Sequence, residues 1–141
     1  MDITKVPFNQ LLGISLSDHP DYLLQLDDKK EYTNHLETVH AAALFALAEG
    51  SGAQLLLKYF PEEIIENVIP VLRKVDVSYK KPAKGVIRSK AILQYKTLEE
   101  ILAELQSKKR TLITTTVELY DTQNTKVFMA NFEWFVVIKE N

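Results

Sequence analysis

An α+β fold, in which one curved antiparallel sheet wraps a long central helix, is predicted by three features of the sequence. Residues 39–57 are a run of nineteen that is almost wholly Ala, Leu, Phe, Val and Gly, with Glu49 its only formal charge. A helix apolar all round needs cover on every side, which a curling sheet supplies. Four β-rich segments follow this run, connected mostly by turns. The 141 residues, 46% of them apolar, also suit one domain with a core of its own, so a single domain over residues 1–141 is expected.

The elements follow in order. Pro7 to Leu12 read as a short opening helix, since Pro suits a first turn and Gly13 a C-cap. Between Ile14 and Asp28 the apolar positions Ile14/Leu16 and Tyr22/Leu24/Leu26 alternate with strand period, and His19-Pro20-Asp21 breaks the run into two arms of a hairpin. The long apolar run is close to 30 Å at ~1.5 Å per residue, the thickness of a bilayer core. A membrane span is nevertheless rejected, because Ala and Gly dominate, a carboxylate sits at its middle and no second span follows.

Pro61-Glu62-Glu63 opens a short second helix, with acids where the helix dipole favours them. Val71 to Lys80 alternates as a strand, and after Pro82-Ala83-Lys84-Gly85 a second alternating run extends from Val86 to Tyr95, so these two are expected to pair as a hairpin. Thr97-Leu98-Glu99-Glu100 has the form of a capped helix start, and Leu98, Ile101, Leu102 and Leu105 carry one apolar face to about Ser107. Lys108-Lys109-Arg110 suits its C-terminal end. Leu112 to Tyr120 and Lys126 to Ile138 flank the turn-forming stretch 121–125 and predict an antiparallel hairpin.

Composition narrows the function. Formal charge is -2, with 17 Lys/Arg interleaved among 19 Asp/Glu, so no polyanion-binding surface is expected and nucleic acid is not an expected partner. The absence of Cys excludes disulfides, thiolate zinc sites and a cysteine nucleophile, and fits a reducing compartment. The amino end carries an early acid and lacks the apolar stretch of a secretory signal, so a cytoplasmic location is expected.

The segment from Asn34-His35 through Val39-His40-Ala41-Ala42 to Ala48-Glu49 resembles the helix-entry motif of the phenylacetate-pathway-type, 4-hydroxybenzoyl-CoA thioesterase-like, hotdog thioesterases. There an Asn, then His-Gly-Gly, then an apolar stretch ending in Asp or Glu stand at the same intervals. The stretch Val77-Ser78-Tyr79-Lys80-Lys81-Pro82-Ala83 is similar to that family's strand ending in Tyr-x-x-Pro-Ala. The resemblance runs from about Leu11 to Val137, with Thr97 to Arg110 a helical insertion where typical members have a shorter connection. It implies a hotdog fold and hydrolysis of an acyl-CoA or acyl-carrier thioester. It implies no cofactor beyond the coenzyme A of the substrate, and no metal. The site would be assembled across a homodimer, with dimers paired into tetramers in many members. The oxyanion donor would be the backbone of Ala41, supported by the Asn34 side chain. Glu49 would be the general base for water or a nucleophile forming an anhydride. His40 and Ala42, on either side of Ala41, would line the substrate site.

The residues themselves support part of this. An N–H at Ala41 lies in the first helical turn, where amide donors lack intrahelical partners, and oxyanion donors are typically worth ~3–4 kcal/mol. Eight residues separate Ala41 from Glu49, roughly 12 Å along a helix, whereas one carbonyl needs both within about 3 Å. If both act together they come from helices of different subunits, which makes a twofold dimer the minimal unit. For the phosphates of coenzyme A the candidates are Lys80, Lys81, Lys84, Arg88 and Lys90, with Lys108, Lys109 and Arg110 as a further cluster.

Each residue also has a plain structural reading. Glu49 could be neutralised or ion-paired, Asn34 a turn or cap residue, and the lysines guards of a solvated strand edge. His40 lies about 180° around the helix from Glu49, so it reads as a helix-start residue and no metal pair is implied. Ala41 and Ala42 replace the family's glycines, and Ala53 stands where some members hold water with a hydroxyl, leaving Ser51 and Gln54 as substitutes. The competing functions are therefore a hydrolase, a non-catalytic hotdog that binds an acyl ligand or CoA, and a dehydratase or isomerase. The last is disfavoured because those folds usually set a His opposite an acid.

Overall fold

A computed structural model describes residues 1–140. A single 3-10 turn, Ile3–Lys5, precedes helix α1 (Pro7–Leu12), whose C-cap Gly13 takes the left-handed conformation at φ 71°. Short strands β1 (Ser15–Leu16) and β2 (Leu24–Leu26) form the expected first hairpin. Helix α2 (Ala41–Tyr59) is the long apolar helix, and α3 (Glu62–Ile65) a single turn after it. Strands β3 (Val68–Tyr79) and β4 (Ile87–Gln94), helix α4 (Leu98–Lys108), and strands β5 (Arg110–Tyr120) and β6 (Lys126–Ile138) complete the chain. All neighbours in the six-stranded sheet are antiparallel, in the order β1-β2-β4-β5-β6-β3. The sheet wraps α2, and the hotdog arrangement expected from the sequence is the one observed. No helix among the described residues is long and apolar enough to cross a membrane.

One pairing differs. β3 and β4 are not a hairpin: β3 lies on the sheet edge beside β6, while β4 pairs with β2 and β5. Alternation decides which side chains face the core but not which strand lies alongside. Partner length decided it here, because β3 finds eleven matched positions on β6, which extends over thirteen residues, whereas β4 has eight residues in all. Residues 80–86 are thus a crossover from one edge of the sheet toward the other, passing the start of α2, where Val39 N–H donates to the Ala83 carbonyl at 2.8 Å. Its early part stays tied to β6, since the N–H groups of Lys80 and Lys81 both donate to the Val127 carbonyl.

The composition of α2 follows from how tightly it lies on the sheet. Leu44, Leu47, Ala48 and Leu55 are buried, as are Ile87, Ile113, Val117, Phe128, Phe132 and Trp134 on the sheet. A Cβ on Gly52 would stand 2.7 Å from Thr115 Oγ1 and 3.3 Å from the Trp134 ring, so glycine is required by close approach. On the preceding residue of α2, the fully buried Ser51 hydroxyl lies 2.6 Å from that of the fully buried Ser89, and the Leu24 N–H donates to Ser89 Oγ at 3.1 Å. This polar contact links α2, β4 and β2 and sets the rotation of the helix about its axis. α4 carries the predicted capping box between Thr97 and Glu100 and buries Ile101 and Leu105 against the same core. Its final basic triplet is divided: Lys108 ends the helix, Lys109 is its left-handed C-cap, and Arg110 begins β5.

Candidate active site

The entry to α2 is built by the preceding loop. Asn34 Oδ1 accepts from the N–H groups of Leu36 at 2.9 Å and Thr38 at 3.1 Å, Glu37 takes a left-handed φ of 60°, and Thr33 bridges to Val39. Asn34 is therefore the turn-forming side chain its plain reading expects, and the turn places it beside the helix start. His40 is the N-cap: its backbone is extended and Nδ1 accepts from the Ala42 N–H at 2.9 Å. That bond uses the Ala42 donor, whereas the Ala41 N–H has no acceptor among the described residues. An unpaired amide at the positive end of a nineteen-residue helix is a donor available to an anionic oxygen.

A cavity of about 450 Å³ opens at this donor, lined by Asn34, Thr38, Ala41, Leu44, Tyr79, Lys80 and Lys81 among others. Tyr79, the tyrosine of the Tyr-x-x-Pro-Ala stretch, forms one wall. Its hydroxyl donates to the Ala41 carbonyl at 3.3 Å, and its ring meets Phe128 edge to face at 5.3 Å. The available signal was its place at the end of a strand just before Lys80-Lys81-Pro82. Lys80 and Lys81 put cations at this opening, but the other basic candidates lie elsewhere. Lys84 lines a separate cleft with Asp27 and Asp28, Arg88 pairs with Asp18 at 3.1 Å, and Lys90 sits 4.9 Å from the centre of the Tyr22 ring. Lys108, Lys109 and Arg110 are at the opposite end of the sheet, since Arg110 and Ile69 both pair with Val137, roughly 33 Å along β3 from Tyr79.

Glu49 is not in this cavity. It is half-buried two turns farther along α2, and burial pushes its carboxyl above the ordinary 4.5, with no hydrogen bond or neighbouring charge among the described residues to offset it. Phe45, one turn before it, packs on Phe132 of β6 at 5.7 Å between ring centres, so this side of α2 faces the β6–β3 half of the sheet. Cover there is incomplete. Val75 and Val77, level with Phe132 and Ala130, are only half-buried. The structure thus brings Asn34, Ala41, Lys80 and Lys81 together and leaves Glu49 apart from them in the same chain.

The family described as domain of unknown function DUF4442 matches residues 12–136. The chain belongs to the DUF4442 family. Solved structures share the fold of this DUF4442 chain. A Pseudomonas aeruginosa protein described as of unknown function and a probable thioesterase is 24% identical over 97% of this chain and 91% of its own, with a TM-score of 0.80. A Bacillus halodurans protein crystallised with CoA is 21% identical over 92% and 75%, with a TM-score of 0.70. A phenylacetic acid degradation-related protein from Ralstonia eutropha is 17% identical over 92% and 90%, with a TM-score of 0.68. These likenesses show that the DUF4442 chain shares the fold of those proteins. Comparison with curated proteins finds no match.

Proposed function

We propose that the chain hydrolyses an acyl thioester, of CoA or of an acyl carrier, at a site shared between two subunits. The observation that carries this reading is Glu49, a carboxylate whose proton affinity is raised by burial and which no partner among the described residues neutralises. Such a group holds and releases protons nearer neutrality than an ordinary carboxylate, as a general base must. Its oxygen takes a proton from water while the water oxygen bonds to the thioester carbon. The carbonyl oxygen becomes an oxyanion and meets the free Ala41 N–H of the second subunit. Collapse of the tetrahedral intermediate breaks the carbon–sulfur bond, and the proton held by Glu49 passes to the leaving thiolate.

The second subunit is needed because Ala41 and Glu49 stand about 12 Å apart on one helix. A twofold axis beside β3 would set a partner helix antiparallel over the partly covered β6–β3 half. The unpaired outer edge of β3 and its exposed Ile69 and Val71 suit such an arrangement. Lys80 and Lys81 at the cavity mouth would meet the substrate's phosphates, and the CoA seen with the Bacillus halodurans protein makes that ligand chemistry reasonable for this fold. A second reading, binding without turnover, is favoured by Ala41 and Ala42, whose methyl groups narrow the approach to the donor.

The test is hydrolysis across a panel of acyl-CoAs by wild type and Glu49→Gln. Loss of a general base lowers kcat by ~10²–10⁴-fold with the fold retained by circular dichroism. Undiminished turnover in the folded variant rejects Glu49 as the base, and a wild type inert toward every substrate favours the binding reading.

A further inference from the structure

The face of α2 that bears Glu49 continues toward the C-terminal end through Ala53 and Leu57, each four residues on from the last, and Phe60 follows as the extended C-cap. Beyond Glu49 this face is apolar. It lines a cavity of about 60 Å³, whose other walls include Ile3, Val68 and Pro70, and every residue of that lining is apolar. A cavity with such walls stays dry and takes apolar matter. Ala53 is one of its walls, and its methyl group leaves more room there than a longer side chain would.

We propose that this slot receives the distal end of a straight-chain acyl group whose thioester carbonyl lies at Glu49, which makes medium-chain acyl thioesters of about eight carbons the substrate class. The inference rests on the thioesterase reading above and deepens it. The length follows from the geometry. Glu49 to Ala53 is four residues, about 6 Å along the axis. An extended chain advances about 1.2 Å per bond, as in a backbone where three bonds span ~3.5 Å, so about five bonds reach the slot. An apolar cavity of about 150 Å³ takes benzene, so 60 Å³ takes roughly two or three further carbons. Phe60 and Ile65 close the far end.

The experiment measures kcat/KM for straight-chain acyl-CoAs from acetyl to palmitoyl with wild type, Leu57→Phe, which narrows the slot, and Phe60→Leu, which opens its end. In wild type kcat/KM should rise about fourfold per methylene, equivalent to about 0.8 kcal/mol, up to roughly eight carbons, and then fall. Leu57→Phe should lower the octanoyl-to-butyryl ratio by roughly tenfold or more, and Phe60→Leu should move the optimum to longer chains. In parallel, calorimetric titration of the same acyl-CoAs into Glu49→Gln should show affinity following the same length dependence. Hydrolysis that ignores chain length in wild type and both variants overturns the slot and leaves the thioesterase reading intact. Absence of hydrolysis together with length-dependent affinity upholds the slot and removes the thioesterase reading. Binding and turnover both indifferent to length mean that the cavity is a packing gap, and the proposal falls.

Discussion

A carboxylate half-buried on an apolar helix is more easily kept protonated than charged, and for Glu49 burial is the only cause acting. The consequence for pH has a definite sign. In the unfolded chain Glu49 titrates near 4.5 and in the folded chain above it, so its contribution to stability is fully present below 4.5 and is lost as pH rises through the raised folded value. Glu49→Gln does not titrate. Its melting temperature relative to wild type should therefore be constant below pH 4.5 and increase in the variant's favour toward neutrality, which thermal scans at a series of pH values will show. Under the proposed chemistry the acid limb of kcat/KM should lie above 4.5 and coincide with the stability change. A melting difference independent of pH contradicts the raised titration. Glu49 was legible in the sequence because one charge stood alone among nineteen residues, and Ala41 because a helix start leaves its N–H free. The division of labour around them was not legible. Asn34 was legible as a turn residue, but which of the first amides His40 consumes depends on a side-chain direction that spacing does not carry.

At the scale of elements, two glycines of α2 that look alike in the sequence should respond oppositely to alanine. Gly52 faces Thr115 Oγ1 and the Trp134 ring at distances a methyl group cannot share, and the bond from Trp134 Nε1 to Thr115 Oγ1 at 3.0 Å would be displaced. Gly52→Ala should therefore cost about 1–3 kcal/mol as overpacking. Gly50 has its nearest neighbours at 3.6 Å, an ordinary contact, so Gly50→Ala should gain up to about 1 kcal/mol from helix propensity. Urea denaturation followed by Trp134 fluorescence checks both, and equal effects at the two positions would refute the close-approach account. The elements themselves were largely readable: α1 from Pro7 and Gly13, α4 from the Thr97–Glu100 box, and the β5–β6 hairpin from its turn. The expected β3–β4 hairpin was wrong because Pro82 to Gly85 looks like a turn in either use. Only the competition among strands for partners shows that it serves as a crossover.

Across the whole molecule, the outer edge of β3 is unpaired in the sheet and the sheet face beside it is only partly covered, and both lie on the side of α2 that carries Glu49. Topology of this kind is beyond a one-dimensional pattern, since the position of β3 beside β6 is what opens that side. The consequence is a test of whether Ala41 and Glu49 serve one carbonyl from two chains. Ala41→Pro removes the proposed donor N–H at the first helical position, where proline is tolerated, and Glu49→Gln removes the base. Each variant alone should be inactive, because both sites of its homodimer carry a lesion. In a mixed dimer one site collects both lesions, and the other combines an intact Ala41 from the Glu49→Gln chain with an intact Glu49 from the Ala41→Pro chain. Random exchange makes half of the dimers mixed, each with one working site of two, so about a quarter of wild-type activity should return. Native mass spectrometry verifies the exchange and analytical ultracentrifugation the dimer. If mixed dimers form and activity stays absent, or if an active wild type sediments as a monomer, the two-chain site is wrong and both groups must be sought within one chain.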